Sequence, residues 1–202
     1  MITLSFLFWK SKMSKKSPFD YSPIHHVMNI LSLPSSLYPQ AEALYEKSFP
    51  EEERRDSHEW HDYWLNKEGF SIHAILTNGD VFAGFISYWQ FDDFIYVEHF
   101  TLSPTLRGNG IGGKVLEHFI SQFQTRPILL EVEEPCNEMA ARRIAFYKRH
   151  HFTLLPNPYL QPPYRPGGLS VPLHIMCTMP QVVIPKYDKF VSVLQREVYG
   201  CC

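Results

Sequence analysis

Residues 96–119 read, in order, as a strand, a loop, a glycine turn and a helix, and no other stretch of the chain limits its fold as strongly. Residues 94–102 are mostly aromatic or β-branched, which suits a buried strand, and Ser103-Pro104 ends it. Gly108, Gly110, Gly112 and Gly113 then crowd the start of a helix in which Ile111, Val115, Phe119 and Phe123 recur every four residues. A helix start leaves backbone N–H groups without intrahelical partners, and the helix dipole is positive there. Glycines keep those groups uncovered, so the turn makes a seat for phosphate, and Arg107 beside it can add charge-assisted bonds. The stretch implies a ligand that carries a diphosphate.

Two patterns fit the same letters. Gly108, Gly110 and Gly113 satisfy G-x-G-x-x-G, and Glu131 stands near the distance at which a dinucleotide site places its acid. A dinucleotide turn, however, follows its strand tightly and opens a parallel βαβ fold. Here residues 103–107 separate the strand from the first glycine. Arg107, Gly110 and Gly112 equally give R-x-x-G-x-G, and a glycine-rich helix start with no ligand is a third reading.

The neighbouring elements bear on the choice. A first strand is expected over 29–33 and a helix over 39–49, started by Pro39 and stopped by Pro50. A charged run follows at 51–55, then a helical pattern over 57–65 with Trp60, Tyr63 and Trp64. Strands are expected over 71–77 and 81–89, joined at Asn78-Gly79, a strong hairpin signal, with a further turn at Asp92-Asp93. This is an antiparallel meander feeding the glycine turn. Beyond the glycine helix, the strand at 128–133 should pair parallel to the one at 94–102 through a βαβ crossover. A helix over 137–150 presents Ala140, Ile144 and Tyr147 on one face. Residues 155–172, rich in Pro, Gly and Tyr, form a loop too long to be mere connection. A last strand at 173–179 and a closing helix at 187–199 complete an α/β chain.

At 202 residues the chain is expected to hold one domain over 28–202, behind a flexible extension at 1–27. A formal charge of −2 gives no basic signature for nucleic acid. Cys136, Cys177, Cys201 and Cys202 have neither disulfide-framework nor metal-ligand spacing, so no metal and a reducing, cytoplasmic setting are expected. The apolar run at 2–9 precedes Lys10, Lys12, Lys15 and Lys16, the reverse of a signal peptide, and is too short for a membrane span. An interfacial anchor, or translation upstream of a start at Met13 or Met28, also fits it.

The meander, the Arg107–Gly113 turn and the helix ending Phe146-Tyr147-Lys-Arg-His-His-Phe152 resemble the GNAT superfamily of acyl-CoA-dependent N-acetyltransferases over about residues 28–179. The resemblance implies a mixed sheet in which the meander is followed by two splayed parallel strands flanked by helices. It implies acetyl-CoA as co-substrate, with the backbone of Phe100, Thr101 and Leu102 along the pantetheine arm. Arg107, Gly108, Asn109, Gly110, Ile111, Gly112 and Gly113 would hold the diphosphate. Tyr147 would be the general acid, since a phenol can protonate a leaving thiolate. Glu98, a polar residue in an apolar strand, is the candidate base, with His99 or water as alternatives and Glu131 and Glu133 as weaker ones. Each of these side chains can also be read as an ordinary core or hydrogen-bonded residue. Catalysis could be largely positional, and an acyl-cysteine route through Cys136 lacks a His–Asp partner spacing. The helix departs from the family pattern at Ala140, where Asn is common, and at His151, where Gly is common. The acceptor would be a primary amine of a small molecule or a protein, lined by 49–55 and 159–168, and a homodimer is compatible. A non-catalytic acyl-CoA-binding regulator on the same scaffold is the rival reading.

Overall fold

The computed structural model describes residues 28–77 and 79–201; the extension at 1–27, Asn78 of the hairpin signal and Cys202 lie outside the described residues. The chain runs β1 (Met28–Ser32), α1 (Tyr38–Ser48), α2 (Ser57–Asn66), β2 (Phe70–Thr77), β3 (Val81–Gln90), β4 (Ile95–Leu102), α3 (Ile111–Gln122) and β5 (Ile128–Glu133). It continues α4 (Glu138–Arg149), β6 (Thr153–Leu154), β7 (Tyr159–Gln161), β8 (Val171–Cys177), α5 (Pro180–Val183) and α6 (Tyr187–Val193). The sheet is ordered β1-β2-β3-β4-β5-β8-β6, with β7 also paired to β8. The first four strands are the antiparallel meander, and β4 pairs with β5 in parallel.

Local chemistry sets these boundaries. At the β2–β3 turn, Gly79 and Asp80 take φ of 72° and 76°, the left-handed values an N-G hairpin signal anticipates. Asp56 caps α2 by accepting from Glu59 N at 2.8 Å, so the chain between Pro50 and Asp56 is held at both ends. Asn137 caps α4 in the same way, accepting from Ala140 N at 2.9 Å.

Two apolar clusters fill the two faces of the sheet. One joins α1, Trp60 of α2 and the C-terminal helices to Phe85, Trp89 and Tyr96; the other joins α3 and α4 to Val97, Phe100, Leu102, Leu130 and Val132. Two expectations are corrected. The span 155–172 is not all loop, because Tyr159–Gln161 forms β7 against Leu173–Val171 of β8. The closing helix begins as α5 and a 3₁₀ turn, then continues from α6 into a π-helical turn over Leu194–Val198. Within the charged run 51–55, Arg54 and Arg55 are buried.

Candidate active site

The parallel pairing of β4 and β5 is short. Ile95 pairs with Ile128 and Tyr96 with Leu129, after which the strands part. Beyond that point the β4 backbone is laddered to β3 alone. Ser103 N–H donates to Ala83 O at 2.8 Å, and backbone groups in an antiparallel ladder turn to the partner at every second residue. Thr101 and His99 therefore face β3, whereas Phe100 and Leu102 present N–H and C=O to the gap. The Thr101 backbone is thus part of the sheet, and its hydroxyl donates to Ser48 Oγ at 3.1 Å.

The glycine turn stands at the end of this gap. Gly108 and Gly110 have φ of 82° and 76°, and a Cβ on either would meet nothing within 4 Å. Asn109 is exposed between them. Gly110 precedes Ile111 as the start of α3, with no side chain capping the helix. Gly112 and Gly113 have a different setting: Gly112 lies over Leu102, Phe146 and Phe100, and Gly113 lies against His150. Arg107 folds back on the strand end, donating to Leu102 O at 2.9 Å and Thr101 Oγ1 at 3.3 Å.

On this same side of the sheet, Tyr147 of α4 is completely buried in the cluster that contains Phe100, Leu102 and Val132. Its hydroxyl has no hydrogen-bond partner among the described residues. Burial raises its pKa far above the ordinary tyrosine value, so it is a protonated donor at neutral pH.

The opposite side is polar. Ser87 pairs with His99 and Tyr88 with Val97, leaving Glu98 as the extra residue of a β-bulge. Glu98 is fully buried and accepts from Arg55 Nη1 and from Trp89 Nε1, the latter at 3.0 Å. Burial alone would raise the Glu98 carboxyl; the Arg55 charge and these two hydrogen bonds bring it below the ordinary glutamate range. Arg55 Nη2 also donates to Val198 O, and its guanidinium lies 5.0 Å from the Tyr164 ring and 4.4 Å from the Tyr63 ring. His99 is buried, with Nδ1 at 3.3 Å from Ser87 Oγ and Nε2 at 3.2 Å from Glu53 O. Burial lowers its pKa to about 3, so it is a neutral ring with both nitrogens engaged.

Across the gap on the same side, Glu131 Oε2 accepts from Gln161 Nε2 at 2.6 Å and from Tyr199 at 2.8 Å, and Tyr96 meets Tyr199 at 3.0 Å. Glu133 sits near the strand end and pairs with Arg143 at 3.2 Å. Cys136 is exposed. The two stretches expected to line the acceptor pocket are brought together: Arg165 bonds Glu51 at 3.3 Å, and Tyr164 stacks over Arg55. Arg55, Gln161 and Tyr199 were not singled out from the sequence. A buried acid such as Glu98 in an apolar strand does demand a cation, and that demand was the signal for Arg55. Among the described residues no group of three or more His, Cys, Asp or Glu could hold a metal, and no helix is long and apolar enough to cross a membrane.

Comparisons with known proteins bear on the same geometry. The sequence model described as "Acetyltransferase (GNAT) family" matches residues 35–152. A structure of a GNAT-family protein from Bacteroides thetaiotaomicron is 39% identical, covers 86% of this chain and 99% of its own, and superposes with a TM-score of 0.81. YjbC of Bacillus subtilis (strain 168), which carries an acetyltransferase name, is 41% identical over 66 residues. That match spans 31% of this chain and only 33% of YjbC. The structure of spermidine N-acetyltransferase from Vibrio cholerae with CoA and spermine shares the fold at 9% identity and a TM-score of 0.56, covering 74% of this chain and 94% of its own.

Proposed function

Because the chain belongs to the GNAT family of acetyltransferases, we propose that it moves an acetyl group from acetyl-CoA to a primary amine by direct attack within a ternary complex. The observation that carries this reading is the parting of β4 from β5 after Tyr96 and Leu129, with the glycine turn at its end. The residues fit such a co-substrate. Phe100 offers its backbone N–H and C=O along the gap and Leu102 its N–H, while Arg107 holds the Leu102 C=O; the N–H groups of residues 108–113 offer an uncapped helix start to a diphosphate. The buried Tyr147 hydroxyl still needs a partner, and a thioester sulfur would supply one.

Acetyl-CoA would supply an acyl group already activated as a thioester. This chain's part is to place the amine, take its proton, and return a proton to the sulfur. Tyr147 is the proton donor in this scheme, and burial keeps it protonated. Glu98, held ionised by Arg55, accepts the amine proton directly or through water. The acceptor would enter on the Glu98 side of the sheet, between residues 49–55 and 159–168. The V. cholerae relative is named for a small polyamine substrate, and a small amine or a protein amine both suit the scheme.

The test is release of free CoA thiol from acetyl-CoA across a panel of small amines and peptides. Amine-dependent release supports transfer. Acetyl-CoA binding with no release for any acceptor would instead make the chain an acyl-CoA-binding regulator.

A further inference from the structure

Arg55 is 1% exposed yet touches five separate parts of the chain. Its backbone N–H donates to the Tyr45 hydroxyl of α1 at 2.9 Å. Its guanidinium bonds Glu98 at the β4 bulge and Val198 O in the π-helical turn, and its Nε lies 3.6 Å from Glu59 of α2. The rings of Tyr63 and Tyr164 cover it. The chain brings it there between the end of α1 at Ser48 and the Asp56 cap of α2.

We infer that Arg55 is a positioning residue for the transfer reaction: it keeps Glu98 a carboxylate, aims it, and ties it to the C-terminal turn through Val198. This rests on the reading of Glu98 as the group that takes the amine proton. A buried carboxylate without a cation would protonate, and a protonated Glu98 cannot accept a proton. The other titratable groups facing Glu98 are Tyr45 from α1, Glu59 from α2, Tyr96 and His99 from β4, and Tyr164 from the loop after β7. His99 is neutral down to about pH 3, and the tyrosines are held in their neutral form by burial, so Arg55 is the cation of this set. The fork of a guanidinium also reaches Glu98 and Val198 O at once, which the point charge of a lysine would not.

The experiment is the pH profile of kcat at saturating acetyl-CoA and amine, which follows groups of the bound complex rather than the ionisation of the free amine. In Arg55→Met the acidic limb should move up by roughly 1–3 pH units, with activity partly regained at higher pH and acetyl-CoA affinity unchanged. Arg55→Lys should move it less. A merely structural arginine would lower the rate at every pH and leave the limb in place, and that result overturns the inference. If the Arg55 variants do not fold, carbon-13 NMR of the unaltered protein decides, with the Glu98 carboxyl assigned by its loss in Glu98→Gln. Titration below the range of ordinary glutamates supports the inference, and titration within or above it overturns the inference. Glu98→Gln also separates the two readings: normal turnover in that variant sinks the base assignment itself, whereas lost turnover with an unmoved limb in Arg55→Met sinks only the role given to Arg55.

Discussion

The ring of His150 lies so close over Gly113 that a Cβ there would stand 2.9 Å from its Cε1 and Nε2. The four glycines of the turn therefore divide. Gly113 serves the packing of α3 on α4, while Gly110 serves a left-handed turn that faces open space. Gly113→Ala is expected to change stability by no more than about 1 kcal/mol, because the tip of the ring can shift and alanine's helix preference offsets the crowding, with CoA affinity retained in the folded fraction. Gly110→Ala should cost about 1–2 kcal/mol of backbone strain and, unlike Gly113→Ala, weaken CoA binding by crowding the diphosphate. Thermal unfolding and calorimetry on both variants check this; equal CoA affinity in Gly110→Ala and the parent protein would remove the glycine turn from the binding site.

Tyr147→Phe should separate the chemical role of the hydroxyl from the packing of the ring. The ring stays between Phe146 and Phe152, at centroid distances of 5.2 and 5.6 Å. The hydroxyl it loses has no partner among the described residues, so stability should hold or rise slightly. Turnover should fall by about 10²-fold or more if the phenol protonates the leaving thiolate. Rate and melting temperature measured side by side decide the matter, and undiminished turnover would make Tyr147 a core residue with solvent as the proton source.

Much of this arrangement was legible in the sequence because its signals are local. The Asn78-Gly79 hairpin signal, the aromatic and β-branched run of 94–102 and the four-residue recurrence of Ile111, Val115 and Phe119 are each local to a short stretch. The parallel crossover from β4 to β5 followed from topology rules alone. What stayed hidden depends on distant partners. Residues Tyr159–Gln161 become a strand only because β8 supplies Leu173 to Val171 as their partners. Arg55 looked like one member of a charged run, and its burial follows from Glu98, 43 residues away. The bulge at Glu98 adds no letter that periodicity would flag, yet it places Glu98 and His99 on one face of β4.

Acid should destabilise the fold in two stages. His99 has its pKa lowered from 6.5 to about 3, so its contribution is complete above pH 6.5 and is lost progressively as pH falls through that window. Between pH 6.5 and 4.5 the loss should be roughly 2–3 kcal/mol, at about 1.4 kcal/mol per unit. Glu98, whose pKa is also lowered, adds its loss only below the ordinary glutamate value of 4.5. His99→Gln should therefore make the stability profile shallower above pH 4.5, where burial also lowers His73 and keeps some slope, and leave the steeper fall beneath it. Denaturant unfolding at a series of pH values gives the measurement, and an unchanged slope in the variant would assign the upper stage to another group.

Tyr199 tests whether the C-terminal turn belongs to the acceptor side of the site. Its hydroxyl donates to Glu131 Oε2 at 2.8 Å and meets Gln161 at 2.8 Å and Tyr96 at 3.0 Å, joining β4, β5, β7 and the chain end. Removing the hydroxyl leaves buried polar partners unsatisfied, so Tyr199→Phe should lower stability by about 1–3 kcal/mol. The cluster lies on the sheet face opposite α3 and α4, where the proposed acetyl-CoA groups stand. Kinetics on the folded variant should therefore show a raised KM for the amine with the KM for acetyl-CoA unchanged, because the pocket wall loosens while the donor side does not. Tyr164, whose ring centroid is 5.1 Å from that of Tyr199, should transmit the change to the acceptor. If instead both Michaelis constants rise together, the C-terminal turn acts on the whole splay, and the division of the site between the two faces of the sheet does not hold.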